Sequence, residues 1–469
     1  MDVIFDLVKH IVRTKYEDIP GMAVEAAKKE IVDSFATALG GTTKPGVGEL
    51  VDMVKEWGGS PQSTIIGYGI KCPAPNAAQV NGSMIHALDY DDGHNVSLVH
   101  VGCVAVSTCF AVAERMGDVS GKELLTAIAL GQDLDSRLGL ASRPGGVALG
   151  AGWHPTTLFG FIASAAMAAK VMRLDEEKMI NAIGLAYHQC GGAGSGVGDG
   201  ALAKRMGPGF AAKAGVTAAL MAERGITGER SSLEGREGRG GLYNTYIRGD
   251  YDPTILTDEL GKRFEGVNIG DKPYPCCGFS HPFIDAALSL RAKHGIKVNQ
   301  IREIIAVGGQ SGYGLCHPVE IKRAPRTIVD AQFSLPYTIA TALVRGKVTL
   351  EDFTDETIKR GNILEVARKV TGQLDNSLTR HGVSPGKVTI VMNDGTEYSE
   401  FVEDWLGSIG NPMTFDDCAK KFRECAPFAL NPLSPDRVEQ IIELIRNLEK
   451  LDDGTEPIRL TGKRTRSGK

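Results

Sequence analysis

The sequence predicts a mainly α protein, with a large all-helical domain built from both ends of the chain and a smaller α+β domain inserted between them. Three observations predict it. Apolar residues recur at helical spacing through about residue 230, β-type runs gain comparable strength only after about residue 268, and helical periodicity returns after about residue 403. A chain of 469 residues is also too long for one simple core, so two domains are expected. The expected boundaries are 1–267 and 403–461 for the helical domain, 268–402 for the insert, and 462–469 for a flexible tail.

The elements follow in order. Val3–Val12 is amphipathic, and Met22–Leu39 follows Pro20-Gly21 and stops at Gly40-Gly41, proline before and glycine after, as helices prefer. Further helical patterns cover Gly48–Trp57, Ala77–Leu88, Val104–Met116, Gly121–Leu138, Thr157–Met172, Glu176–Tyr187 and Gly209–Arg224. Several are Ala-rich and apolar on more than one face, which places them between neighbours. In the insert, Ile301–Gly308 is a β-type run, and Lys387–Val402 reads as two strands around an Asn-Asp-Gly turn. Helices are expected at Pro282–His294 and Ser334–Val344, then at Thr414–Glu424 and Pro435–Leu451. The economical arrangement lays the insert over the helical domain, and ligand sites favour such domain interfaces.

Composition narrows the function. Apolar residues make up 42% and charged residues 23%, ordinary for a globular protein. A net charge of -5 gives no reason to expect nucleic acid or an anionic membrane, so an anionic substrate must be drawn by local cations. Nine cysteines lack any CxxC pair or cluster spacing, which points to reduced thiols in a cytoplasmic setting. The N-terminus lacks the basic start of a signal peptide, and the apolar run 157–172 is short of the roughly 20 residues a membrane span needs.

The chemistry concentrates in His86-Ala-Leu-Asp-Tyr-Asp-Asp-Gly-His-Asn-Val-Ser-Leu-Val-His100, which holds three of the ten histidines together with Asp89, Asp91 and Asp92. Imidazoles and carboxylates so close perturb one another's proton affinity, which is how acid/base sites are built. The bland reading is a helix end with solvated Asp side chains. His154-Pro155 and His281-Pro282 each precede a helical run, which sets each imidazole near an N-cap, where free N–H groups favour a carboxylate. Lys204 lies in the Gly-rich stretch 194–209, ahead of an apolar helix, where it can reach a bound anion; a solvated loop lysine is the competing reading. The stretch lacks the Gly-Lys-Ser/Thr ending of a phosphate-binding loop. No helix carries paired histidines at zinc-protease spacing, so no metal is expected, and no Gly-x-Ser-x-Gly elbow follows a strand.

These segments together, HALDYDDGH at 86–94, Val99-His100, GWHPTT at 152–157, the Lys204 stretch and KPYPCCGFSHPFIDAAL at 272–288, resemble the MmgE/PrpD family over nearly the whole chain. That family includes 2-methylcitrate dehydratase, cis-aconitate decarboxylase and iminodisuccinate epimerase. The resemblance implies an all-helical domain, an α+β lid, a homodimer, and chemistry without metal or organic cofactor in a positively lined cleft. By motif it implies Asp89, His100, Lys204 and His281 as catalytic groups and His154 in substrate binding, with Asp92 and His94 as neighbours that join it. Two positions depart from the pattern: Gly278 stands where relatives commonly carry a cation, and Gly93 where they often carry a hydroxyl. The expected function is a lyase on a di- or tricarboxylic acid, most simply a dehydratase of the 2-methylcitrate kind. An epimerase or decarboxylase on the same scaffold is the alternative. Outside that class stand a non-catalytic carboxylate-binding protein and a metallohydrolase.

Overall fold

The computed structural model describes residues 2–142, 148, 150–197, 199–237, 239–380 and 382–462. Of the tail expected at 462–469, Gly462 is buried, and residues 463–469 lie outside the described residues. The chain forms two compact units, one from Met1–Ile269 with Thr414–Lys469 and the other from Gly270–Met413.

The first unit is built on helices α1 (Ile4–Arg13), α2 (Gly21–Gly41), α3 (Val47–Trp57), α4 (Ala74–Ile85), α5 (Gly102–Met116), α6 (Gly121–Ala141), α7 (Pro155–Val171), α8 (Glu176–Tyr187) and α9 (Ala203–Glu223). Local signals set their ends. Ser120 accepts the Glu123 N–H while Glu123 returns a carboxylate to the Ser120 amide, a reciprocal cap that starts α6. Asp175 caps α8 in the same way from one side. Helices α2, α4, α5 and α7 are buried on nearly every face, as their Ala and Gly content predicts.

Close backbone approach explains the helix start that the sequence reading misplaces furthest. Helix α9 begins at Ala203, six residues before the expected Gly209, and runs through Pro208. A Cβ on Gly209 would come within 2.2 Å of the Gln79 carbonyl oxygen, and one on Gly215 within 1.9 Å of Ser164 Oγ. Gly209 and Gly215 let α9 press onto α4 and α7; both are packing residues within the helix. A short hairpin, β1 (Ser63–Ile65) with β2 (Ile70–Cys72), also interrupts the helices where no strand is expected.

The second unit carries a four-stranded sheet of β3 (Ile301–Gly308), β4 (Val370–Leu374), β5 (Gly386–Met392) and β6 (Glu397–Val402), in the order β4-β3-β5-β6. Strand β4 pairs parallel to β3, while β5 and β6 are the antiparallel hairpin turning at Asn393–Thr396. The edge strand β4 went unread because Val-Thr-Gly-Gln-Leu has no apolar alternation. Helices α10 (His281–His294) and α11 (Leu335–Arg345) complete its core. The Phe283 ring fits a socket of three glycines: added Cβ atoms would meet it at 2.6 Å from Gly308 and 3.0 Å from Gly312 and Gly386.

The second unit extends to Met413, past the expected 402. Asp285 accepts the Leu406 N–H at 2.8 Å, and Trp405 stacks edge-on to His281 at 4.8 Å, which binds this segment to α10. The chain then returns to the first unit as α12 (Phe415–Cys425) and α13 (Pro435–Arg446). There Lys421 is fully buried, 2.6 Å from Asp33 of α2 and 2.5 Å from the Tyr90 carbonyl. Burial pulls its ammonium down, but the Asp33 carboxylate outweighs that and the net shift is upward.

Candidate active site

Helix α4 ends in a 3-10 turn, His86–Leu88, stopped by Asp89 in the left-handed region (φ 52, ψ 33). A short polar residue tolerates that conformation better than most. The turn redirects the chain, and the Asp89 carboxylate meets the Lys204 ammonium at 2.6 Å. Lys204 is the second residue of α9, so it is held by a helix rather than by a loop.

The residues after Asp89 divide between the site and the loop itself. Asp92 accepts the Val101 N–H at 2.7 Å and the Gly102 N–H at 3.1 Å at the N-terminus of α5. It is fully buried, and burial, then Asp91 and Asp33, push its carboxyl well up. His94 accepts the Ser97 N–H at 3.2 Å and stands 3.7 Å from Glu265, whose carboxyl is pulled down to about 2, chiefly by that imidazole. Both were expected to bind substrate. In the structure the Asp92 carboxylate accepts from two backbone amides, and His94, 2% exposed, is bonded within its own loop.

The remaining imidazoles gather. His100 places Nδ1 2.6 Å from the Asp92 carbonyl, so Nδ1 carries the proton and Nε2 is left for proton transfer. Its backbone N–H donates to Thr156 at 3.0 Å, which ties it to the start of α7. His154 is the N-cap of α7 with Pro155 behind it, and its Nδ1 lies 2.8 Å from Thr157 Oγ1. Burial, then His86, Lys204 and His100, hold it well below the usual imidazole range, so it stays neutral. His86 links the two: its ring lies 4.7 Å from that of His100 and 5.7 Å from that of His154.

His86 and Asp91 were part of the stretch singled out above but received no role there. Their pairing (His86 Nδ1 to Asp91 Oδ2, 2.7 Å) joins positions five apart across a turn, which helical spacing does not reveal. A nitrogen of His86, one of His100 and an oxygen of Asp89 lie within 4.8 Å of one another. We assign no metal to them, because the Lys204 ammonium already holds Asp89 and repels a second cation. In the second unit, His281 is the first residue of α10, with Ser280 as N-cap. It is fully buried, with Nε2 3.3 Å from the Cys276 carbonyl and its ring edge-on to Tyr274 and Trp405.

Residues 6–253 match the MmgE/PrpD N-terminal domain and residues 274–450 the MmgE/PrpD C-terminal domain. The chain belongs to the MmgE/PrpD family. It is 28% identical to cis-aconitate decarboxylase of Aspergillus terreus, over 93% of this chain and 91% of that protein. It is 27% identical to the human cis-aconitate decarboxylase over 92% and 88%. Against 2-methylcitrate dehydratase of Cupriavidus necator it is 23% identical over 86% and 85%.

Proposed function

We propose that the chain is a cofactor-independent lyase acting on a di- or tricarboxylic acid. The observation that carries this is the gathering of His86, His100 and His154 beside the Asp89–Lys204 ion pair. Lyases of such acids develop negative charge on a carbon beside a carboxylate. That charge needs a cation and a proton-transfer group already in place. In this reading Lys204 binds a substrate carboxylate and stabilises the enediolate-like species, while Asp89 orients its ammonium. His100 Nε2 transfers the proton. Neutral His154 assists as a hydrogen-bonding group.

Two reactions suit this site, loss of water as in a dehydratase and loss of carbon dioxide as in a decarboxylase. The second is favoured by the higher identity to cis-aconitate decarboxylases, 28% against 23% for the dehydratase. NMR of products in deuterated water, across citrate, aconitate, malate and amino-dicarboxylate analogues, separates them. Dehydration keeps every carbon; decarboxylation loses one and leaves a solvent deuteron on carbon. Epimerisation exchanges a proton and changes neither count. Tight binding with unchanged substrate throughout the panel would make the chain a carboxylate-binding protein.

The reading includes a homodimer and a cytoplasmic setting. Leu202 at the N-cap of α9 and Phe210 within it are exposed, with half-buried Met206 between them at helical spacing, and Trp57 of α3 is exposed too. Apolar groups so placed suit burial against a second copy. Sedimentation at several concentrations tests the dimer, and a concentration-independent monomer refutes it. The nine cysteines, all free thiols, suit a reducing compartment.

A further inference from the structure

The proposed chemistry leaves two buried ionisable groups unused, His86 and Asp91. Both side chains are fully buried. One carboxylate oxygen, Asp91 Oδ2, lies 2.7 Å from His86 Nδ1 and 3.6 Å from His100 Nδ1. The His86 ring meets the His100 ring edge-on, at 65°. Among the described residues His86 Nε2 makes no hydrogen bond. Taking an imidazole and a carboxylate out of water is costly, and an apolar pair of similar volume often packs as well or better. A carboxylate oxygen set against two imidazoles, one of them reaching solvent, calls for more than packing.

We propose that Asp91 and His86 are positioning residues for His100, Asp91 by charge and His86 by holding both Asp91 and the His100 ring in place. The inference rests on His100 being the proton-transfer group of the lyase. When His100 Nε2 takes a proton from the substrate carbon, the C–H electron pair stays on the substrate as an enediolate and the ring becomes an imidazolium. That charge develops 3.6 Å from the Asp91 carboxylate. In dehydration, giving that proton to the departing hydroxyl releases water and returns the ring to neutral. In decarboxylation no C–H bond breaks: the ring starts as an imidazolium protonated from solvent, and gives that proton to the carbon that keeps the electron pair of the broken C–C bond as carbon dioxide leaves. His86 donates its Nδ1–H to Asp91 throughout, which stabilises the ionised carboxylate and fixes the tautomer.

The groups around His86 agree with this division of labour. They are Asp89 and Asp91 from its own loop, His100 ahead of α5, Cys103 on α5, His154 at the start of α7 and Lys204 at the start of α9. Burial lowers the proton affinity of His86 and the Lys204 ammonium lowers it further, while Asp91 and Asp89 oppose them without reversing the shift. His86 therefore stays a neutral donor, and His100, whose side chain is 18% exposed, is the ring that reaches solvent.

Asp91→Asn tests the proposal, because its amide oxygen still accepts the His86 Nδ1–H while the charge is gone. With cis-aconitate and citrate as substrates, kcat falls on the order of 10²-fold while KM stays within about threefold. The limb of the kcat pH profile set by His100 moves to lower pH, since its imidazolium has lost a stabilising anion. A kcat within about threefold of the parent, or a loss of kcat with an unmoved pH profile, overturns it. Should the parent turn over neither acid, the lyase reading fails separately. NMR titration of the His100 ring then still decides: a shift to lower pH in Asp91→Asn supports the coupling, and an unchanged titration overturns it. If Asp91→Asn shows no thermal transition, His86→Gln replaces it. Its side-chain N–H can still reach Asp91, but the ring edge against His100 is gone, so kcat drops at unchanged KM; parent-like kcat overturns the proposal.

Discussion

Replacing Lys204 with methionine separates what the Asp89–Lys204 pair does for the fold from what it does for the chemistry. The two charges stand 2.6 Å apart, with side chains only 19% and 11% exposed. Removing one partner of a largely buried pair leaves the other charge unsolvated, which costs about 3–5 kcal/mol. Water at the partly open edge puts Lys204→Met at the lower end, about 3 kcal/mol. Unfolding entropy of about 2 cal/mol/K per residue, over the first unit, makes that a fall in Tm of about 4 °C. Asp89→Asn with Lys204→Met removes both charges and should recover most of it. Turnover should respond differently. Losing the cation that holds a developing enediolate costs about 10²–10³ in kcat, and the double variant should not regain it. Calorimetry and NMR progress curves on parent, single and double variants read the two effects side by side. A Lys204→Met protein that turns over within about tenfold of the parent, or a double variant that regains rate along with Tm, would refute the reasoning.

His100→Ala should lower kcat by about 10²–10⁴ while substrate-analogue binding, followed calorimetrically, changes little. Phe283→Ala empties the three-glycine socket and should destabilise the second unit by about 3–5 kcal/mol, read by chemical denaturation. Glu265 is held down at about 2 in the folded protein, first by the His94 imidazole. A carboxyl depressed on folding stabilises above its unfolded value and loses that contribution as pH falls through the folded one. Acid unfolding should therefore steepen between pH ~4.5 and ~2, and Glu265→Gln should flatten that limb in a circular-dichroism titration.

How far the sequence reads can be judged from single residues. Pro20 before α2, Ser120 with Glu123 at α6 and Asn393-Asp394-Gly395 between β5 and β6 act within one turn of chain, so their effects were legible. Strand β4 was not, because its pairing with β3 supplies an order that its own residues do not signal. The stretch 86–100 was singled out for its imidazoles and carboxylates, yet which of them face one another was not readable. Asp92 looked as available as Asp89, and His94 as available as His100.

By itself the sequence determined the family, the order of helical and α+β segments, and the imidazoles, carboxylates and lysine from which a site can be made. Only the tertiary structure decided which of them face one another. Asp89 meets a lysine 115 positions away, Asp92 turns to the amides that start α5, and His94 turns to Glu265. The physical reason is range. Caps and turns are settled by neighbours in sequence, whereas the direction of a buried charged side chain is settled by whichever distant partner offsets the loss of its water.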